Sequence, residues 1–197
     1  MRLFDYPDSG NGYKVRLLLA LLGRPYEYVP VDILAGESRT EAFLARNPDG
    51  RIPVLELDDG SFLSESGAIL FHLAEGTPYL PGDPLERARV LQWMFFEQYS
   101  HEPHIATSRF WLKHVALTPW HRERLADKRQ AGEAALAVME RHLAAEPFFV
   151  AGRYTIADVA LYAYTHVAPE GGFSLDRRPA VRDWLDRVAA RPGHVPL

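Results

Sequence analysis

Three short segments carry side chains whose types and spacing suit them to chemistry. The first, Ser9-Gly10-Asn11-Gly12-Tyr13-Lys14-Val15-Arg16, joins an extended segment to a helical one. A hydroxyl and a carboxamide there stand beside the first N–H groups and the positive dipole end of a helix. Such a place stabilises an anion, including a thiolate carried by a ligand. Capping of the helix by Ser9 or Asn11 is the other reading, and a cap does not exclude a ligand. The second segment, Arg51-Ile52-Pro53-Val54, sets a proline directly before a strand, where its missing donor is tolerated. A cis Ile52–Pro53 bond would turn the N–H and C=O of Ile52 outward, to pair with an extended peptide as an added strand. The third, Ser64-Glu65-Ser66-Gly67, ends a strand and opens a helix. Ser66 offers a hydroxyl and a backbone N–H to a carboxylate, and Glu65 offers a carboxylate to an ammonium. Together they suit the head group of an α-amino acid; a serine cap with an acidic neighbour is the alternative.

The elements that must position these segments change character near residue 80. Residues 2–6 read as a strand. Residues 13–22 read as a helix, with Val15, Leu18, Leu19 and Leu22 at i, i+3, i+4 and i+7. A second strand occupies 26–31, and Ser38 with Glu41 forms a capping box for a short helix reaching residue 46. Asn47-Pro48-Asp49-Gly50 breaks that helix. Strands over 54–57 and 61–63 meet at the Asp59-Gly60 turn, and a helix over 66–75 is closed by Gly76. The order βαβ-α-ββα predicts a small α/β domain over 1–76. Residues 77–84, with Pro78, Pro81, Gly82 and Pro84, read as a linker. Residues 85–197 are helical in period: 85–115 with a kink at Pro103, then 120–145, 155–166 and 180–191. The fold class is therefore α/β followed by all-α.

Composition narrows the function. The 197 residues carry a formal charge of −4, and no basic face argues for nucleic acid. The longest apolar run, 15–22, is broken by Arg16 and is far too short for a bilayer. No signal-like leader opens the chain, which predicts a cytoplasmic protein. There is no cysteine, so disulfides, thiolate metal sites and cysteine nucleophiles are excluded. The chemistry must use oxygen, nitrogen or a borrowed group. His101-Glu102-Pro103-His104 lacks a third ligand at useful spacing, so no metal is predicted. Trp93, Phe96, Tyr99, Phe110 and Trp111 fall at helical spacings that read mostly as core.

The three segments, in this order and spacing, resemble the cytosolic glutathione transferases over nearly the whole chain. The most specific elements are Asn47-Pro-x-Gly50-Arg51-Ile52-Pro53 and, beyond it, Glu65-Ser66. Arg153-Tyr154-Thr155-Ile156-Ala157-Asp158 is similar to the family's buried capping motif. The resemblance implies a thioredoxin-like N-terminal domain and an all-helical C-terminal domain. It implies that Ser9 matches the activating hydroxyl of serine-type classes, and Asn11 an asparagine used by nu-like bacterial and fungal members. Gly10 replaces their usual proline, and Gly12 stands where many relatives have cysteine. Ile52, with Pro53, would bind the cysteinyl backbone of glutathione, and Glu65 and Ser66 its γ-glutamyl head. Arg39 and Arg51 match basic positions near its glycyl carboxylate. Tyr99 and Arg109 lie on the helix that the resemblance sets beside the thiol, as electrophile-pocket residues. Tyr6 is the control for tyrosine-type activation. Without cysteine the omega, beta and glutaredoxin-like branches are disfavoured.

In function, the resemblance implies a glutathione S-transferase of serine type, theta- or nu-like. It would direct the glutathione thiol at a small hydrophobic electrophile or a peroxide, with peroxidase or disulfide-reductase side activity. A two-fold homodimer is implied, domain one of each subunit against domain two of the other. The alternatives are a glutathione-dependent isomerase or dehalogenase, and a non-catalytic glutathione-binding scaffold. Two thiolate-directed groups, Ser9 and Asn11, favour an enzyme.

Overall fold

The computed structural model describes residues 1–197, which form two compact units. The first comprises Met1–Thr77 together with Pro192–Leu197. Its elements are β1 (Arg2–Asp5), α1 (Gly10–Leu21), β2 (Glu27–Pro30), a 3-10 turn (Glu37–Arg39), α2 (Glu41–Leu44), β3 (Val54–Glu56), β4 (Phe62–Ser64) and α3 (Ser66–Ala74). The sheet order is β2-β1-β3-β4, with β1 parallel to β2 and the other pairs antiparallel. Alternation along β1 sorts its residues by face. Phe4, opposite Val29 and Val54, joins a core with Val31 and with Phe43 of α2, against which Ile52 packs. Leu3 and Asp5 face the other way, and Asp5 meets α1 at Gly12.

Helix α1 begins at Gly10, earlier than its apolar period suggests. Ser9 is its cap, accepting the Gly12 N–H at 3.2 Å. The first turn, Gly10-Asn11-Gly12, holds no apolar side chain, so periodicity could not register it. The capping box expected at Ser38 is corrected. Ser38 sits inside the 3-10 turn, and Thr40, in extended backbone, caps α2 by accepting the Phe43 N–H. The last residues, read as part of the helical domain, belong instead to the first unit: the Tyr13 hydroxyl donates to the Val195 carbonyl at 2.7 Å.

The second unit, Pro78–Arg191, contains α4 (Pro84–Phe96), a π turn (Glu97–His101), α5 (Glu102–His114), α6 (Pro119–Leu143), α7 (Ile156–Thr165), a 3-10 turn (Ala168–Gly171) and α8 (Pro179–Ala189). Pro84, read as linker, is a first-turn residue of α4, with Asp83 accepting the Glu86 N–H as cap. The kink expected at Pro103 is a π turn just before it. Proline lacks an N–H and crowds the carbonyl one turn earlier, and the wider π turn absorbs both defects. All ten residues of α7 are buried. Its Asp158 accepts from Thr155 N, Phe149 N and Trp184 Nε1 at 2.9, 3.2 and 3.0 Å, tying α7 to α8. Burial pushes the Asp158 carboxyl up to about 6, against the pull of these bonds. No helix is long and apolar enough to cross a membrane.

Candidate active site

Two helix N-termini meet in the first unit, because α1 packs beside α3. Asn11, in the first turn of α1, accepts at Oδ1 from Lys14 Nζ at 2.7 Å and from the Ser66 hydroxyl at 3.4 Å. Ser66 is the first residue of α3, and Glu65 before it has φ 67° and ψ 111°, a sharp turn from β4 into the helix. A non-glycine residue there carries a backbone cost of roughly 1–3 kcal/mol. The turn sets the Glu65 carboxylate, which is exposed, beside the buried Ser66 at the helix start. Asn11 and Ser66, distant in sequence, are thus hydrogen-bonded neighbours, with Ser9 two residues before Asn11.

Asn47 folds the loop that leads to Ile52. It is buried, donates from Nδ2 to the Arg51 carbonyl at 2.8 Å, and accepts the Asp49 N–H at 3.2 Å. Gly50 takes φ 65°, which the tight loop requires and a side chain resists. The Ile52–Pro53 peptide is cis. Arg39 and Arg51 are drawn to the same residue: Arg39 donates to the Asp49 carbonyl at 2.7 Å, and Arg51 Nε lies 3.0 Å from the Asp49 carboxylate. Both arginines are exposed.

Beneath the first turn of α1 lies Asp5, with no solvent exposure. Arg16 Nε stands 3.2 Å from its Oδ2. Burial raises the carboxyl to about 7, opposed by the Arg16 charge and by a hydrogen bond from the Tyr6 backbone. A Cβ on Gly12 would overlap both carboxylate oxygens, so the absence of a side chain at 12 is what makes room for Asp5.

The two residues expected to line an electrophile pocket lie in the second unit and differ from each other. Tyr99, on the π turn, is 86% exposed. Arg109 is buried, and its Nε donates to Glu170 at 2.7 Å, a carboxylate shared with Lys113 at 3.1 Å. That shared carboxylate ties α5 to the Ala168–Gly171 turn.

Three residues of consequence were not given a role by sequence reasoning: Lys14, Asn47 and Asp5. Asn47 was visible within its motif. Lys14 and Asp5 carried only a weak signal, a charged residue in an otherwise apolar stretch.

A hydroxyl at a helix start beside a carboxylate suits a zwitterionic head group, and two exposed guanidinium groups suit an anion.

Comparison with known proteins points the same way. The family model "Glutathione S-transferase, N-terminal domain" matches residues 1–75, and "Glutathione S-transferase, C-terminal domain" matches 122–187. A glutathione S-transferase crystal structure from Pseudomonas fluorescens is 53% identical, with 99% of this chain and 97% of that one covered and a TM-score of 0.97. Maleylacetoacetate isomerase from Pseudomonas aeruginosa is 33% identical over 98% of this chain and 92% of its own length. A glutathione transferase from Burkholderia graminis, solved with two glutathione molecules per subunit, is 26% identical, with 98% and 84% covered and a TM-score of 0.85.

Proposed function

Because the chain belongs to the cytosolic glutathione S-transferase superfamily, we propose that it is a glutathione transferase that activates the thiol through the first turn of α1. The observation that carries this reading is the Asn11–Ser66 hydrogen bond, which brings the thiol-directed group within reach of the γ-glutamyl receptor. Ser66 and Glu65 bind the carboxylate and ammonium of the γ-glutamyl group. Ile52 pairs with the cysteinyl backbone beside Pro53. Arg39 and Arg51, both held at Asp49, face the glycyl carboxylate. Of the two residues considered for the electrophile, we assign Tyr99 to contact and Arg109 to scaffolding, since Glu170 already occupies its guanidinium.

The Ser9 oxygen accepts the Gly12 N–H and still has its own O–H to donate. The Asn11 oxygen accepts from Lys14 and Ser66, which turns its amide N–H side away from them. Two donors beside a helix dipole favour S⁻ over SH. Lowering a thiol pKa by two units takes about 2.7 kcal/mol, within reach of such a set. The proton leaves to solvent, and the sulfur lone pair then forms the new bond as the leaving group departs with its electrons. The similarity to the isomerase supports a second reading, in which sulfur adds and later leaves so that glutathione returns unchanged. Product analysis separates the two: consumption of thiol marks transfer, and its recovery marks isomerisation.

Calorimetry tests the binding half. Ser66→Ala and Glu65→Gln should each weaken glutathione about ten- to a hundredfold, the loss of one charge-assisted hydrogen bond. Titration of the bound thiolate band tests the activating half in Ser9→Ala, Asn11→Ala and the double variant, with turnover on an aryl halide and on a peroxide. A double variant that keeps both its thiol pKa and its turnover would refute the mechanism and leave Tyr6 to be tested. We further propose a two-fold homodimer working in the cytoplasm, the former contradicted by a monomer in light scattering.

A further inference from the structure

Asp5 has no place in the mechanism above, yet its carboxyl, with no solvent exposure, lies directly beneath the turn that carries Ser9 and Asn11. Gly12 joins the two. Its N–H donates to the Ser9 hydroxyl oxygen at 3.2 Å, and on its other side a Cβ would lie 1.6 Å from Asp5 Oδ1. The backbone of one residue therefore separates carboxyl from hydroxyl, and a sulfur accepting from Ser9 is on the order of 10 Å or less from Asp5. Arg16, one turn along α1, keeps its charge at any pH of interest. Its Nε stands 3.2 Å from Asp5 Oδ2, and its Nη2 donates to the Pro7 carbonyl at 2.7 Å, which fixes the guanidinium there. The other titratable groups facing Asp5 are phenols. Tyr28 of β2 donates to the Asp5 carbonyl at 3.3 Å, and Tyr26 precedes that strand; burial raises both above the ordinary tyrosine range, so both stay neutral. Lys14, also on α1, reaches Asn11 Oδ1 at 2.7 Å. The charge beneath the turn thus depends on one proton. With Asp5 protonated the guanidinium charge is no longer balanced by it, and with Asp5 ionised the pair is neutral.

We propose that the Asp5–Arg16 pair tunes the thiol site through the first turn of α1: a proton on Asp5 leaves the Arg16 charge to favour the glutathione thiolate, and a bound thiolate in return favours the proton on Asp5. This rests on the glutathione transferase reading above and adds to it a buried pair that acts through space, where Ser9 and Asn11 act by contact. Reciprocity is a thermodynamic necessity, since each ionisation must shift the other by the same amount. Burial lifts the Asp5 carboxyl to about 7 against the pull of Arg16, so the exchange falls near neutral pH. A unit charge about 10 Å away in partly buried surroundings is worth about one pKa unit. Thiol and carboxyl therefore titrate as a coupled pair, in a curve broader than that of one site.

The test is the titration of the bound glutathione thiolate band in the parent, in Asp5→Asn and in Arg16→Gln. Asp5→Asn leaves the guanidinium unbalanced at every pH and should lower the thiol pKa. Arg16→Gln leaves a neutral, protonated Asp5 and should raise it. The two variants should differ by about one unit, a tenfold difference in the ratio of thiolate to thiol, with the parent between them and broader than either. A distorted turn would move both variants the same way. Shifts in one direction, or two unmoved values, overturn the proposal. If one variant does not fold, the other decides by its direction and by whether its curve narrows to one site. Carbon-13 NMR of the Asp5 carboxyl reads the pair from its other end. Glutathione should raise the Asp5 pKa by about one unit over its value with S-methylglutathione, which has no thiol to ionise. Equal values with the two ligands overturn the proposal. Absence of glutathione binding in the parent sinks the transferase reading and the role of this pair with it, whereas binding without these shifts sinks the role of the pair alone.

Discussion

Replacing Gly12 by alanine should cost this protein far more than a surface helix position normally would, and the cost should change sign with the residue at position 5. A Cβ at 12 runs into both oxygens and the Cγ of Asp5, which is fully buried and paired with Arg16. The carboxylate has nowhere to go, and tearing it from its partner inside the fold costs roughly 3–5 kcal/mol. The cheaper response is for the first turn of α1 to lift. That loses the Ser9 cap, about 1 kcal/mol, and adds overpacking of about 1–3 kcal/mol. Gly12→Ala should therefore destabilise by about 3 kcal/mol. It should also lower turnover, because Ser9 and Asn11 ride on the turn that moves. In an Asp5→Ala background the obstruction is gone, and alanine's better helix propensity should leave Gly12→Ala neutral or stabilising by about 0.5–1 kcal/mol. Urea denaturation of the four proteins measures the coupling directly. An equal loss in both backgrounds, or no loss in the parent, refutes the claim that Asp5 and Gly12 share one space.

Asp5 also predicts a pH dependence. Its folded pKa of about 7 lies above the unfolded value of 3.8, so the fold binds this proton more tightly than the unfolded chain does. The stability it lends is complete below pH 3.8 and is lost as pH rises through 7. Asp5→Asn stays neutral, so urea midpoints at pH 5 and 8 should show it gaining on the parent at the higher pH, by about 2–3 kcal/mol. A gap that moves the other way would be decisive against this. Asp158→Asn should do the reverse and destabilise at every pH by about 1–3 kcal/mol, since an amide NH₂ must then face donors from Thr155, Phe149 or Trp184. Thermal melts across pH 5–8 check it. Glu65→Gly should relieve the backbone at φ 67° and raise stability by about 1 kcal/mol while weakening glutathione binding, a divergence visible by pairing melts with calorimetry.

Local chemistry was enough to read much of this protein from its sequence. The cap at Ser9, the break at Asn47-Pro-Asp-Gly, the proline before β3 and the hairpin at Asp59-Gly60 all depend on neighbours within a few residues. Their types and order carried the fold class, and with it the segments that bear the candidate site. What failed locally failed for a physical reason. Both Ser38 and Thr40 can cap a helix, and only the packing of Phe43 into the β1 core selects the frame that Thr40 caps. Pro103 announced a disturbance, yet whether a helix answers proline by kinking or by a π turn depends on what its two halves pack against. Only the tertiary structure decided the electrostatics of the site. Asp5 and Gly12 lie on different elements and share one space, and Ser66 reaches Asn11 across fifty-five positions of chain. In sequence Lys14 is one charge among hydrophobic neighbours. Folding buries its ammonium against Asn11, where burial raises the cost of the charge and strengthens its bond to the amide oxygen.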